Sequence, residues 1–149
     1  MIDEDRQKHI LAVANLMREN ANRFGLDEEE MFMLGYLHDI GYAFGDGENH
    51  HTVGAELLQK HNYKYYREVL YHGKPVENYT SRALDLLNFG DMHIGKKGNY
   101  LTFEDRLEDI KSRRGENSPH YQNCKKVIDR LQNILLEIEE NSQVDDNNL

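Results

Sequence analysis

The chain of 149 residues has no tryptophan, two prolines and one cysteine, and its 18 Lys and Arg are outnumbered by 27 Asp and Glu, a formal charge of -9. Each shortage excludes a class of protein. The lone Cys124 rules out an intrachain disulfide and a cysteine-rich zinc site, and reads as a small buried helix residue. With acids in excess and no long Lys/Arg block, sequence-independent binding to a long nucleic acid is not expected, although a local group of cations could receive a small anion. No run of about 18 apolar residues occurs, and the opening MIDEDRQKHI lacks the basic-then-apolar pattern of a signal peptide. No membrane partner and a cytoplasmic location are therefore expected. Strand signals are missing as well: there is no period-two alternation, no Asn-Gly hairpin turn and no internal repeat.

What is present is helical period throughout, with a hydrophobic fraction of 38% that suits one domain with one core. In DRQKHILAVANLMRENANRFG, the residues Ile10, Val13, Met17, Ala21 and Phe24 mark one face and Gly25 supplies a stop. A second helix should start after Asp27, with Glu30 completing a capping box, and run into the Gly41 to Gly47 region. After the loop GDGEN come a short helix through TVGAELLQKH, another through YKYYREVLYHG that Pro75 shuts off, and TSRALDLLNFGDM, capped by Thr80 or Ser81. Two more are expected, one from an N-cap at Thr102 to Gly115 and one beginning at Ser118 and Pro119. The expected fold class is all-α, a bundle of about seven helices ending near residue 141, with a polar, frayed tail over 142–149.

Eight histidines, at 9, 38, 50, 51, 61, 72, 93 and 120, are more than such a chain ordinarily carries. The stretch MFMLGYLHDIGYAFG sets His38 beside Asp39 within an apolar run, where an imidazole and a carboxylate are costly unless something holds both. His9 lies on the edge of the buried stripe of the first helix, His72 follows Leu70 and Tyr71, and Asp91 ends the apolar ALDLLNFGD. Imidazoles and carboxylates converging from several helices are a usual way for bundle interiors to bind transition metals.

The order His9, His38-Asp39, His50, His72, Asp91 resembles the pattern of the HD-domain superfamily of metal-dependent phosphohydrolases. LGYLHDIGY is similar to that family's Leu-His-Asp-Ile-Gly element and HHTVGAELL to its His-x-x-x-Gly-Ala element. The resemblance covers residues 9 to 91, leaves the last two helices, about 102–141, outside the shared core, and within the superfamily lies nearest to small bacterial proteins related to diadenosine tetraphosphate hydrolases. It implies a HD-domain helical bundle with His9, His38, Asp39, His50, His72 and Asp91 as metal ligands. It also implies one or two divalent ions, iron or manganese above all.

Chemistry supports the same set. Two imidazoles and two carboxylates from His9, His38, Asp39 and Asp91 would neutralise one divalent cation, and His50 with His72 could hold a second, with Asp39 bridging the pair. The family spacing before Gly54 selects His50 over His51, which becomes a neighbour behind it or facing solvent. His61 and His120 are expected at the surface, and His93 in an exposed loop. Successive helical side chains diverge by about 100°, so how His38 and Asp39 reach one site is an open question at this stage.

A phosphoester is an anion and water is a poor nucleophile, so one cation would activate a water oriented by Asp39 while a second shields the phosphoryl oxygens. No Gly-rich phosphate loop, G-x-S-x-G elbow or catalytic cysteine suggests a covalent route. Lys74, Arg82, Lys96 and Lys97 are candidates for binding substrate, whereas Arg106, Arg113 and Arg114 read as a solvated helix face. Tyr42, Tyr71 and Tyr79 could stack on a base or simply pack. The expected function is metal-dependent hydrolysis of a phosphoester or phosphoanhydride in a small nucleotide or dinucleotide. The alternatives are a di-iron oxygenase of the same fold and a metal-binding regulatory module without turnover. The oligomeric state is not legible.

Overall fold

Ile10, Val13 and Met17 form the inner face of helix α1 (Glu4–Asn20), whose first turn is capped by the Asp3 carboxylate accepting from the Arg6 amide. A 3-10 turn over Ala21–Phe24 buries Ala21 and Phe24 and ends at Gly25, whose φ of 72° is the left-handed stop that glycine adopts without a Cβ penalty. A computed structural model describes residues 2–45 and 47–147, with side chains through residue 142. Met1, Asp46 of the GDGEN loop, and residues 148 and 149 lie outside the described residues.

Helix α2 (Glu28–Leu37) starts where expected, with Asp27 accepting from the Glu30 amide. The Glu30 carboxylate accepts from Tyr65 and Lys64 at 3.3 and 3.5 Å, tying α2 to a distant loop. The far end of α2 differs from expectation. The helix stops at Leu37, and a 3-10 turn over Ile40–Ala43 follows instead of further α-helix.

The remaining helices are α3 (His50–Lys60), α4 (Tyr66–Tyr71), α5 (Arg82–His93), α6 (Phe103–Arg114) and α7 (Pro119–Asn147). Of the two candidates at the start of α5, Ser81 is the cap, accepting from the Leu84 amide. Thr102 and Asp105 close a reciprocal capping box on α6, and Gly115 ends it. Helix α7 continues to Asn147, through most of the stretch expected to be a frayed tail. Among the described residues there is no strand, only an isolated bridge between Ile94 and Tyr100 that closes the turn after α5.

Helix α5 is the axis of the bundle, packed against α1, α2, α4, α6 and α7 and buried without interruption from Ala83 to Gly90. Leu86 and Leu87 are fully buried, each contributing about 1.5–3 kcal/mol relative to exposure. Its two buried polar side chains away from the C-terminal end are matched. Asp85 accepts from Arg130 of α7, and the Asn88 side-chain oxygen accepts from the Gly73 amide at 2.8 Å. Close approach of α1 and α2 depends on Gly35, where a Cβ would fall 2.6 Å from the Ala14 Cα.

Candidate metal centre

Five of the six expected ligands sit at helix ends. His38 is the residue after α2, Asp39 opens the following turn, His50 is the first residue of α3, His72 follows α4 and Asp91 lies in the last turn of α5, while His9 projects from the first half of α1. This settles how adjacent residues share a centre. Because α2 ends at Leu37, His38 keeps helical dihedrals but Asp39 swings to φ -108°, ψ 20°, and the 100° divergence of an intact helix no longer applies. Gly41 then allows the turn to lie against the start of α3, since a Cβ there would collide with the His50 carbonyl, and Gly54 faces Gly41 from the other side.

The fold brings all six side chains together around the Asp39 carboxylate. Its Oδ2 lies 3.3 Å from His38 Nε2 and 3.8 Å from His9 Nε2, and its Oδ1 lies 3.5 Å from His72 Nε2 and 3.6 Å from His50 Nε2. Asp91 Oδ1 completes the first half, 2.9 Å from His9 Nε2 and 3.5 Å from His38 Nε2. One carboxylate thus faces two groups of imidazoles, one with each oxygen.

Every imidazole in the set is aimed from behind. The Nδ1–H of His9 donates to the Gly95 carbonyl, that of His38 to Gly35, that of His50 to Gly47 and that of His72 to Val69, at 2.6 to 3.0 Å. A carbonyl only accepts, so Nδ1 carries a proton in all four and Nε2 is presented to the centre, the arrangement that orients metal-binding histidines. His38 Nε2 is completely buried and makes no hydrogen bond among the described residues. A buried ring nitrogen left without a partner, between carboxylate oxygens at 3.3 and 3.5 Å, fits a divalent cation with nitrogen and oxygen ligands. His38, Asp39 and His72, and likewise His9, His38 and Asp91, present donor atoms within 4.8 Å of one another.

The charges agree with that fit. Burial opposes ionisation of Asp39 and Asp91, yet His38 with His72, and His38 with His9, outweigh it and hold both carboxyls well below the usual carboxylate range. Burial likewise opposes charge on His38, and Asp39 and Asp91 reverse the balance and raise its pKa. Such a centre attracts positive charge into a dry interior.

Two residues complete the edge of this set, His51 as the neighbour of His50 and Arg6 unforeseen. His51 is not turned to solvent: its ring lies 3.9 Å from that of His50 and 4.2 Å from that of His72, and its donor atom falls in one group with theirs. Burial, then the charges of His72 and His50, push its pKa down to about 3. Arg6 was overlooked, although it stands three residues before His9 on α1 and shares its face. Its guanidinium donates to Asp39 Oδ2 at 3.0 Å and stacks 4.0 Å above the Tyr42 ring.

A cleft of about 590 Å³ opens over the centre. Lys74 and Lys96 line it as expected of substrate-binding cations, and so does Tyr42. Arg82 does not: it starts α5 while Asp91 is near its end, about 13 Å away at 1.5 Å per residue, and it lines a separate hollow beside Arg23 and Ile138. Lys97 points outward from the Gly95–Gly98 turn and is not part of the cleft wall. Tyr71 and Tyr79 pair with each other, and Tyr79 donates to the buried Glu68, so both serve packing.

His93 is buried as the last residue of α5, with Nδ1–H donating to Leu101 and its ring stacked between Tyr100 and Phe103, which the following turn brings over it. Arg106 is not solvated either. It donates to the carbonyls of Asp91, Met92 and Ile94 and so caps α5 beneath the centre. Arg113, Arg114 and His120 also reach the cleft, carried there by α6 and α7, whereas His61 is exposed at the end of α3.

Fold and site together define an all-α protein in which helix ends converge on a two-sided His/Asp centre able to hold metal. The HD domain family model matches residues 6–134, and the chain belongs to that family, whose members are generally metal-dependent phosphohydrolases. The match takes in α6 and half of α7, beyond the stretch in which the resemblance was first visible. Among curated proteins the chain is similar to Ribonuclease Y of Sulfurovum sp. (strain NBC37-1), 43% identical over 56 residues, and to Ribonuclease Y of Mycoplasma mycoides, 41% identical over 56 residues. These matches cover 36% of this chain but only 11% and 13% of the relatives, so the chain spans a small fraction of their length. No solved structure matches it significantly. Among the described residues no helix is long and apolar enough to cross a membrane.

Proposed function

We propose that this protein hydrolyses a phosphoester or phosphoanhydride bond of a small nucleotide, using one or two divalent ions, iron or manganese. The observation that carries this reading is the placement of Asp39, with Oδ2 toward His9 and His38 and Oδ1 toward His50 and His72. His9, His38, Asp39 and Asp91 would hold an inner ion, and Asp39, His50 and His72 an outer one. Such a pair supplies a water made nucleophilic near neutral pH and a positive field for the phosphoryl oxygens.

The chain's own residues supply the rest. Asp39 sets the position of both halves. Arg6, 29% exposed at its side chain and half in the cleft, offers a planar fork of donors to a phosphoryl oxygen beside Asp39. Tyr42, stacked 4.1 Å from His50 and beneath Arg6, holds both in place. The partner is a small phosphorylated molecule rather than a long nucleic acid or a membrane, in keeping with the charge of -9.

The test is elemental analysis of the purified protein together with phosphate and nucleotide release from a panel that includes dinucleoside polyphosphates. One to two equivalents of a first-row metal and release from at least one nucleotide are expected. A metal-replete protein that releases nothing from the panel, or that instead takes up oxygen with an organic substrate, overturns the hydrolase reading.

A further inference from the structure

We propose that the cleft holds a second anion subsite, built by Lys96 and by Arg113 and Arg114 of α6, which receives the phosphate chain of a nucleoside polyphosphate. This rests on the phosphohydrolase reading and narrows its substrate class. The observation is a reversal of charge. Acids outnumber bases 27 to 18 in the chain, yet six cations line the cleft, Arg6, Lys74, Lys96, Arg106, Arg113 and Arg114, against two carboxylates among the described residues, Asp39 and Asp91. Both carboxylates belong to the centre, and on the outer wall Arg113 alone has a counter-charge among the described residues, Asp109 one turn back on α6.

The six cations divide by what holds them. Arg6 stands at the centre itself, 3.0 Å from Asp39. Arg106 is committed to three backbone carbonyls at the end of α5, which places its charge beneath Asp91 without a carboxylate partner. Arg113 is braced by Asp109 one turn back, at 2.8 Å, and the braced pair keeps a guanidinium at the cleft edge. Lys96 and Arg114 form no ion pair among the described residues, and Lys74 stands exposed across the opening.

Like charges gathered in excess of their counter-charges, as Lys74, Lys96, Arg106 and Arg114 are here, raise the potential of a cleft and attract a polyanion. A single phosphoryl group would be neutralised at the centre by the ions and Arg6, leaving the α6 cations unused. A chain of further phosphates would reach them, and guanidinium forks suit phosphate oxygens two at a time. The volume of about 590 Å³ is that of a small-molecule site rather than an extended nucleic-acid groove.

The experiment is calorimetric titration of the full chain, as purified, with orthophosphate, inorganic tripolyphosphate and an unphosphorylated single-stranded oligoribonucleotide, with metal content measured before and after. Tripolyphosphate is expected to bind about tenfold or more tightly than orthophosphate, and a Lys96→Ser, Arg113→Ser, Arg114→Ser variant to lose about that factor in the ratio of the two affinities. Lys60→Ser, on the exposed face of α3, should leave the ratio unchanged. All three positions are exposed, and an unaltered melting temperature will show that the variant folds. An unchanged ratio in the triple variant overturns the proposal, as does tighter binding of the oligoribonucleotide, which would make the cleft a strand groove. Because titration needs no turnover, the subsite is read even where the nucleotide panel is blank, and hydrolysis without preference for polyphosphates sinks the subsite while leaving the hydrolase intact.

Discussion

The two halves of the centre are built on different foundations. His9 and Asp91 stand on α1 and α5, helices sunk in the core with five and ten residues buried, and His38 follows α2, which buries three. His50, His51 and His72 stand on α3 and α4, which are 11 and 6 residues long and bury three and two. The inner half is placed by packing that exists for the sake of the fold. The outer half adds fewer residues to the core, Ala55, Leu58 and Val69, and is tied down by Gly41 against the start of α3, the Gly73 amide on Asn88, and Tyr79 and Ser81 donating to the buried Glu68. Asp39 is what the two have in common.

Breaking the shared element should have the largest effect. Asp39→Ala is expected to remove both ions and to lower phosphohydrolysis by more than about a thousandfold, beyond the cost of losing one electrostatic donor, because both halves lose their common ligand. Metal analysis and initial rates check this. Retention of either ion at wild-type affinity would show that the halves are not joined through Asp39.

Next in size, His72→Ala or His50→Ala should leave the inner ion bound while activity falls about a hundredfold, with near-native circular dichroism. His9→Ala should do the reverse and release the inner ion first. Equal loss of both ions in all three variants would erase the distinction between the halves.

Metal itself should stabilise the fold by linkage, by about 2.7 kcal/mol at a free concentration one hundred times its dissociation constant. Hydrogen exchange locates that gain. Amides of α3 and α4 are expected to gain more protection on metal addition than those of α1 and α5, which the core already protects. A uniform gain along the chain would mean that the outer helices are held as firmly as the inner ones without metal.

A smaller, structural lesion tests the hinge between the halves. Gly41→Ala forces a Cβ onto the His50 carbonyl, and overpacking of this kind costs about 1–3 kcal/mol. The strain should fall on α3 rather than on α2, which ends before it. The outer ion is therefore expected to weaken while the inner persists, readable from metal stoichiometry at limiting concentration beside the melting temperature.

How much of this was legible in the sequence depends on whether the controlling interaction is local. The starts of α2, α5 and α6 were, because a cap is decided within four residues: Asp27, Ser81 and Thr102 each accept from the amide three positions on, whereas α3 and α4 have no side-chain cap and start at His50 and Tyr66 rather than near Thr52 and Tyr63. The end of α2 was not, since Ile40 and Tyr42 continue the apolar text and nothing local says that the helix must break for Asp39 to turn inward. Arg82 could have been set aside from the rise of a helix, which places it about 13 Å from Asp91 on the same element. Arg113 and Arg114 could not have been brought to the cleft by local reasoning. Their place depends on α6 folding back under α5, fastened by Arg106 to carbonyls 12 to 15 residues earlier in the chain. His93 failed for the same reason, as its partners Tyr100 and Phe103 lie beyond a turn whose path the local sequence does not disclose.

The smallest expected effect belongs to His51, and it sharpens the comparison most. Its ring packs on both outer histidines, and its pKa of about 3 keeps it neutral at any working pH, so it adds no charge that would repel a cation. It makes no contact with Asp39 of the kind that His50 and His72 make, at 3.6 and 3.5 Å. A neighbour that supports ligands without sharing the bridging carboxylate should matter through their orientation. Loss of such support costs about 10–100-fold in metal affinity, and because His50 and His72 keep their own backbone anchors at Gly47 and Val69 the lower end applies. His51→Ala is thus expected to weaken the outer ion about tenfold, leave the inner ion untouched, and recover most activity at saturating metal. Failure to recover at saturation would make His51 a ligand in its own right, and the outer half would then hold its ion with three imidazoles rather than two.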